Sequence, residues 1–295
     1  MAANTRDIRR RIKSVKNTAQ ITKAMQMVAA AKMRKAQQAA LGGRPYAELL
    51  SRTLTAVAAG TADNAHELLR TREVKKELVI VVSTDKGLCG ALNTNLLREV
   101  AKFDPEKTIF VGVGRKGVQY LARTKRTLAA EFELKDNFSF FQSKSISKFA
   151  MEKFTSGEVD RVTVVFTDFI NTLTQIPKTR TIIPIGSLTV TVGIGGAQEE
   201  AKVDVKDSGA GTYTFEPDQE AVLGAILPHF VHFQVYQMIL DARASEHSSR
   251  MVAMKNATDN AKQLIKDLTL EYNKVRQAAI TTELLEICTA QMALG

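Results

Sequence analysis

Apolar residues near the C-terminal end of the chain recur at alternating steps of four and three. This heptad spacing, held for about three heptads, is typical of a helix that pairs with another helix in a coiled coil. One position in the row is a threonine. The predicted seam consists of Met254, Thr258, Ala261, Ile265, Leu268, Tyr272, Val275 and Ala279.

The stretch that carries this seam is also long. Residues 229–294 contain neither proline nor glycine. At about 1.5 Å per residue, they permit a helix on the order of 100 Å, whereas a small domain is only about 30 Å across. Most of such a helix cannot be buried in one domain, so it needs a partner along its length.

The other end of the chain has a similar character. Residues 4–41 lack glycine and proline and are rich in the helix formers Ala, Lys, Arg, Met and Gln. Their shorter apolar row contains Ile8, Ile12, Val15 and Ala19, and then shifts to Ile21, Met25 and Val28. We predict that the two ends form a coiled coil with each other, in a direction that the seams leave open. Two ordinary amphipathic helices packed on a core are the alternative.

The middle of the chain has the pattern of an α/β domain. Continuous apolar runs at residues 77–85, 107–114 and 160–171 predict buried strands, with helical segments between them. Residues 174–185 predict an edge strand, because Pro177 and Pro184 interrupt its hydrogen bonding. Strands that alternate with helices favour a mainly parallel sheet. Residues 187–212, rich in Gly, Thr and Ser, predict a mobile loop or hairpin.

Together these patterns predict an α/β fold class: a long coiled coil of the N- and C-terminal helices plus a Rossmann-like, mainly parallel α/β domain. The predicted segments are an N-terminal coiled-coil helix over residues 1–60, a central α/β domain over 75–215, and a long C-terminal coiled-coil helix over 216–295.

Charge narrows the class of partner. The 295 residues carry a net charge of +10, and the first helix holds ten basic residues against one acid, Asp7. Nucleic acid would suit this charge, but the helix lacks aromatic residues for stacking on bases. A membrane-surface helix usually carries Trp, Phe or Leu, whereas this one carries Ala and Met. We therefore expect it to face another helix on one side and an acidic protein surface on the other. No run of about 18 uncharged apolar residues predicts a membrane span.

One motif is typical of dinucleotide binding. The sequence GVGRKG, residues 112–117, matches GxGxxG, follows a strand and precedes a helix. That fingerprint belongs to the first strand–helix turn of its fold, however, and here it follows the second clear strand. We interpret it as a plain strand–turn–helix junction. The alternative is that the chain is an enzyme that binds a nucleotide cofactor at this motif and uses the long helices as a dimerisation stalk.

Other candidate chemistry is weak. Cys89 lies near Lys86 in a turn of small residues, where a lowered thiol pKa would make it a nucleophile. No histidine partner is evident in the sequence, so we prefer to interpret the segment as a tight turn. His229 and His232 are spaced for one helical face, yet a metal needs at least a third ligand. We predict no catalytic residue, no cofactor and no metal.

Several blocks carry a resemblance to a known family. The run IRRRIKSVKNTAQITKAMQMVAAAKMRKAQ closely resembles the start of the gamma subunit of F-type ATP synthases. RPYAELL, GLCGALN, SEHSSRMVAMKNATDNA and LTLEYNKVRQAAITTELLEI resemble further landmarks of that family in the same order. The resemblance covers essentially the whole chain and is most specific at the two ends.

The resemblance implies a central rotor shaft that itself performs no chemistry. Its terminal helices would lie inside the ring of alpha and beta subunits, and its α/β domain would contact the epsilon subunit and the c-subunit ring. Proton flow would turn the shaft. Because the shaft is asymmetric, its rotation would change the nucleotide affinity of each of the three catalytic sites in turn. The complex would lie at the cytoplasmic face of a bacterial inner membrane, with this chain neither spanning the membrane nor binding nucleic acid.

The resemblance also implies roles for individual residues. Six residues would contact the alpha/beta ring and couple rotation to catalysis: Lys23, Met25, Arg250, Gln277, Thr281 and Glu283. Tyr213 and Phe215 would lie near the c-ring and epsilon. The end of the chain, with Cys288 and Met292, departs from the small Gly and Ala residues usual in the family.

Overall fold

The chain folds into two compact units. A computed structural model describes residues 5–43, 45–47, 49–50, 53–54, 66–133, 138–185, 216 and 218–294. One unit, the helix-pair unit, combines Met1–Ala29 with Met251–Gly295, and the other, the α/β unit, is Ala30–Arg250. Helices α1 (Thr5–Gly42) and α5 (Gln219–Leu294) each contribute to both units. The segment boundaries proposed from the sequence stay a prediction, and the loop or hairpin at 187–212 lies outside the described residues.

In the helix-pair unit, α1 and α5 run antiparallel. The hydroxyl groups of Thr22 in α1 and Thr258 in α5 form a hydrogen bond with 2.7 Å between the oxygens, and both side chains are buried. With these residues opposite each other, antiparallel pairing sets residues 5–29 against residues 251–275. This is the stretch of α5 over which the seam positions are buried or half-buried. The direction that the sequence left open is therefore antiparallel.

The predicted C-terminal row follows the observed packing until its last position. Met254, Ala261 and Leu268 are buried, and Ile265, Tyr272 and Val275 are half-buried. Ala279 is exposed. The reason is geometric: α1 begins at Thr5, which pairing places near Val275, so α1 as described does not reach Ala279.

The N-terminal row was predicted correctly only in its first part. Ile8 is buried, and Ile12, Val15 and Ala19 are half-buried. The predicted shift to Ile21 and Val28 is wrong, because these side chains are 60% and 55% exposed. The buried positions are instead Thr22 and Ala29, which continue the same heptad row. Their small side chains carried no apolar signal strong enough to find them.

The α/β unit contains a five-stranded sheet. Its strands are β1 (Glu77–Val82), β2 (Thr108–Val113), β3 (Leu128–Phe132), β4 (Arg161–Phe169) and β5 (Gln175–Ile183). They lie in the order β3-β2-β1-β4-β5. All neighbouring pairs are parallel except β4 and β5, which pair antiparallel. The mainly parallel sheet is confirmed.

Three helices connect the strands: α2 (Leu92–Ala101), α3 (Arg115–Arg123) and α4 (Phe140–Thr155). A short 3-10 turn, Glu67–Leu69, precedes β1. Strand β5 is the edge strand expected from its prolines, with Pro177 opposite Thr167 of β4. Strand β3 was missed, because this short strand at the opposite edge shows only alternating partial burial.

Both faces of the sheet are covered, which explains the continuous apolar runs. From β1, Leu78 and Ile80 join a large core with residues of α4 and α5. Val79 and Val81 point the other way, into a smaller core with α2 and α3. A strand buried on both faces needs apolar side chains at every position.

Helix α5 forms much of the larger core. Its most apolar 18-residue stretch has a mean hydropathy of 1.2, long and apolar enough to cross a membrane, but 56% of that stretch is buried inside the protein. Burial of this extent is the pattern of a core helix.

Candidate partner-binding surfaces

The glycine-rich turn at residues 112–117 has its backbone donors already occupied. The N–H groups of Arg115, Lys116 and Gly117 donate to Asp85 Oδ1, Thr84 O and Ser83 Oγ at 2.8–3.0 Å. In a dinucleotide site, N–H groups in this position bind the pyrophosphate. Here oxygen atoms of the loop after β1 take that place, and the Asp85 carboxylate would repel a phosphate.

The glycines of this turn serve close packing. Gly114 has φ of +93°, and a Cβ on it would lie 2.4 Å from the Ser83 carbonyl oxygen. A Cβ on Gly117 would lie 2.8 Å from Ser83 Oγ. These two glycines thus let the turn pack closely against the end of β1. This geometry supports the strand–turn–helix interpretation over the cofactor enzyme.

Cys89 lacks the surroundings of a nucleophile. The side chain is 2% exposed, and burial raises the pKa of its thiol. Asn93 Nδ2 lies 3.3 Å from the sulfur. A buried thiol with a raised pKa is mostly protonated at neutral pH and therefore unreactive.

The two histidines of α5 have separate partners. His229 Nε2 lies 2.5 Å from the Tyr46 hydroxyl, and His232 Nδ1 lies 2.6 Å from Ser147 Oγ. Among the described residues, no group of three His, Cys, Asp or Glu side chains is arranged to hold a metal ion.

Serine side chains near residue 248 of α5 donate hydrogen bonds to the backbone at two places in the α/β unit. Ser245 and Ser248 donate to the carbonyls of Thr167 and Thr172, in β4 and the hairpin after it. Ser249 donates to the carbonyl of Cys89 at 2.7 Å. The SEHSSR block, which the sequence singled out by resemblance, is therefore a backbone anchor.

Arg250 completes this anchor from a buried position. Its guanidinium donates to the carbonyls of Lys86 and Gly87 and to Glu246 Oε1 at 2.8 Å. The residue is 9% exposed. Its donors are thus directed at its own chain, so any coupling role for Arg250 would act through the loop that it holds.

The anchored loops present two exposed leucines that sequence reasoning missed. Leu88 is 64% exposed and has a positive φ of 62°, which is uncommon for a residue other than glycine. Leu173 is 80% exposed at the tip of the β4–β5 hairpin. A loop leucine gives no periodic signal, so only the folded chain identifies these positions.

Beyond the helix pair, α5 continues as a tip that is unpaired among the residues that the structure describes. Every residue from 276 to 292 is exposed, including Gln277, Thr281 and Glu283. Five large apolar side chains are among them: Ile280, Leu284, Leu285, Ile287 and Met292. An exposed apolar surface of this kind marks a site of protein interaction.

Helix α1 carries a second exposed apolar surface next to basic residues. Ile21, Met27 and Val28 are more than half exposed, Lys23 is exposed, and Met25 is half-buried. The misassigned seam residues Ile21 and Val28 thus belong to this outward surface. Tyr213 and Phe215 lie outside the described residues.

The fold and these surfaces define a class of protein that acts through contacts: an antiparallel helix pair with an unpaired tip, joined to an α/β unit. A family model described as ATP synthase matches residues 4–294. The ATP synthase gamma chain of Methylacidiphilum infernorum is 49% identical over 99% of this chain and 100% of its own length. That of Opitutus terrae is 50% identical over 99% of both chains. The chain belongs to the ATP synthase gamma chain family.

Solved structures show the same fold. A chain of the Tetrahymena thermophila mitochondrial ATP synthase, from a structure of its central stalk and c-ring, matches with a TM-score of 0.58 and 25% identity, over 80% of this chain and 99% of its own. A chain of the Euglena gracilis mitochondrial ATP synthase matches with a TM-score of 0.68 and 23% identity, over 98% and 94%.

Proposed function

We propose that this chain is the central rotor shaft of an F-type ATP synthase, coupling proton flow through the membrane c-ring to ATP synthesis or hydrolysis in the alpha/beta ring. The observation that carries the proposal is the unpaired tip of α5. It exposes five large apolar side chains on a stretch of helix that no other described residue of the chain covers. A surrounding ring of subunits would cover that surface.

The two units suit different partners. The tip and the outward surface of α1 combine apolar and polar side chains for the alpha/beta ring, through Lys23, Met25, Gln277, Thr281 and Glu283. The basic charge of α1 favours an acidic surface on that ring. The α/β unit would bind epsilon and the c-ring, with Tyr213 and Phe215 at that contact.

The chain would contribute no reacting group to catalysis. Different faces of the helix pair present different side chains, so each orientation gives the three neighbouring catalytic sites different contacts. A contact that favours one conformation of a neighbour shifts its population toward that conformation. Rotation would then change nucleotide affinity at each site in turn. The assembly would lie peripherally at the cytoplasmic face of a bacterial inner membrane.

Reconstitution tests the proposal. The full chain is mixed with separately purified bacterial alpha and beta subunits and MgATP, and complex size and ATP hydrolysis are measured together. We expect a large complex with one copy of this chain, and hydrolysis that depends on its presence. Failure of well-folded alpha and beta subunits to assemble with the chain, with no gain in hydrolysis, would refute the rotor role.

A further inference from the structure

A cleft of about 410 Å³ opens within the α/β unit, apart from the surfaces assigned to the rotor role. Its walls come from α1, from α5 and from Phe138, which precedes α4. All of its lining residues lie between positions 32 and 247, so the cleft belongs to this unit alone. Its volume falls in the range of roughly 300–1,000 Å³ that is usual for small-molecule sites.

The charged groups around the cleft leave little electrostatic attraction for a ligand. Lys32, Arg243 and His247 are each already engaged in an interaction within the chain. Lys35 is exposed to solvent, and an ion pair with an exposed lysine contributes little. A charged ligand would lose its hydration in the cleft without gaining a dedicated partner, which is costly. The cleft therefore favours an uncharged ligand.

The apolar walls of the cleft suit a flat ring system. On α1, Ala36 and Ala39 lie one turn apart and present only methyl groups. On α5, Tyr236 and Leu240 lie one turn apart as well. The ring of Tyr236 is held edge-on by Phe140, with centroids 5.5 Å apart and planes at 89°. A ring fixed in this way can contact a planar ligand at little further cost in conformational entropy.

Tyr236 also brings a hydrogen-bond donor to the cleft. Its side chain is half-buried, and burial raises the pKa of the hydroxyl, so the group stays protonated at neutral pH. Among the described residues, none forms a hydrogen bond with this hydroxyl, whereas the Tyr46 hydroxyl is paired with His229. Tyrosine hydroxyls usually find a partner when they are buried. A carbonyl oxygen of the ligand would be a suitable acceptor.

We propose that this cleft binds an uncharged planar aromatic compound with a carbonyl group. The ring lies against Ala36 and Ala39, and the carbonyl oxygen accepts a hydrogen bond from the Tyr236 hydroxyl. A ligand in this position contacts α1, α5 and Phe138 at once, so its binding stabilises their packing. The site does not depend on the rotor role and adds a response to a small molecule.

Fluorescence titration of the full chain with Prodan tests the site. Prodan is an uncharged naphthalene that carries a carbonyl group and emits at shorter wavelength in apolar surroundings. Three unlabelled competitors, substituted at the same ring position, then displace it. Methyl naphthyl ketone keeps the ring and the carbonyl, ethylnaphthalene lacks the carbonyl, and naphthoate carries a negative charge.

Four variants separate the cleft from other apolar surfaces. A39F places a ring inside the cleft, and its matched control A24F adds the same ring at an exposed position of α1 outside the cleft. Y236F removes only the hydroxyl. I280S/L284S/I287S removes exposed apolar side chains of the α5 tip, the other surface to which a dye could adhere. Thermal melting checks that each variant folds.

We expect the ketone to displace Prodan saturably and to bind about fivefold tighter than ethylnaphthalene or naphthoate. Y236F should remove the advantage of the ketone over ethylnaphthalene. A39F should weaken the ketone at least tenfold, whereas A24F and the tip variant should change it less than twofold.

The proposal is overturned by absence of saturable binding, by equal losses in A39F and A24F, or by a ketone advantage that survives in Y236F. Tighter binding of naphthoate than of the ketone would refute the preference for an uncharged ligand. Loss of binding in the tip variant would show that the dye adheres to the tip and not to the cleft.

Discussion

At the scale of single residues, His232 is a buried group that links stability to pH. Burial, with Lys144 and His229 nearby, lowers the pKa of His232 from 6.5 to about 4. The neutral ring is therefore the form that the folded chain holds next to Ser147. In the unfolded chain the ring protonates near its ordinary pKa, so the unfolded state binds more protons between about pH 6.5 and 4.

It follows that stability falls as pH is lowered through this window. From pH 7 to pH 5, His232 should remove about 2 kcal/mol from the free energy of unfolding. Urea unfolding of the full chain at both pH values, compared with H232N, measures the difference. An equal loss in H232N would show that other groups cause the pH dependence.

Arg250 provides a second prediction at this scale. R250Q leaves the Glu246 carboxylate buried without its guanidinium and frees the carbonyls of Lys86 and Gly87. We expect a loss of about 3 kcal/mol in the free energy of unfolding, together with faster hydrogen exchange in residues 86–90.

The control for Arg250 is K255Q, an exposed position on the same helix, which should change neither quantity. The double variant E246Q/R250Q removes both charges and should recover part of the stability. If E246Q/R250Q is no more stable than R250Q, the buried ion pair is not the source of the effect.

At the scale of elements, the pairing of α1 with α5 depends on the buried side of the seam. Leu268 is 7% exposed, whereas Leu270, two residues away, is 70% exposed. L268D should destabilise the helix-pair unit by about 3 kcal/mol, since it replaces buried apolar surface with a charge. L270D makes the same substitution at an exposed position and should cost little.

Thermal unfolding of the full chain, followed by circular dichroism, compares these two variants. In the complete ATP synthase, with its c-ring in membrane vesicles, L268D should also reduce ATP-driven proton pumping more than L270D does. Similar melting curves for L268D and L270D would mean that the seam is wrongly placed.

At the scale of the whole molecule, the α5 tip should matter for assembly and not for folding. Replacing Ile280, Leu284 and Ile287 by Ser should leave the unfolding transition unchanged, because all three are exposed. Affinity for the alpha/beta ring should fall about tenfold or more. The variant F141S/L173S, which removes exposed apolar side chains elsewhere, is the control in a sedimentation assay. Equal effects of the two variants would contradict a specific role for the tip.

The sequence predicted features that depend on local repetition. The strands buried on both faces and the row from Met254 to Val275 both follow from spacing alone. The seam positions that were predicted wrongly depended on partners distant in sequence. Ala279 lies beyond the end of α1, and Thr22 is buried because Thr258 supplies a hydroxyl across the pair.

The threonine pair has a mechanical consequence for a shaft under load. Each hydroxyl can donate once, so one threonine donates to the other while the second donates to a backbone carbonyl, of Met254 or of Ala19. Sliding of α1 past α5 by one heptad would set Thr22 against Met251 or Ile265, and the cross-helix hydrogen bond would be lost at about 1 kcal/mol. A small polar contact in an otherwise apolar seam thus resists axial slip, which would help the two helices to turn as one body under torque.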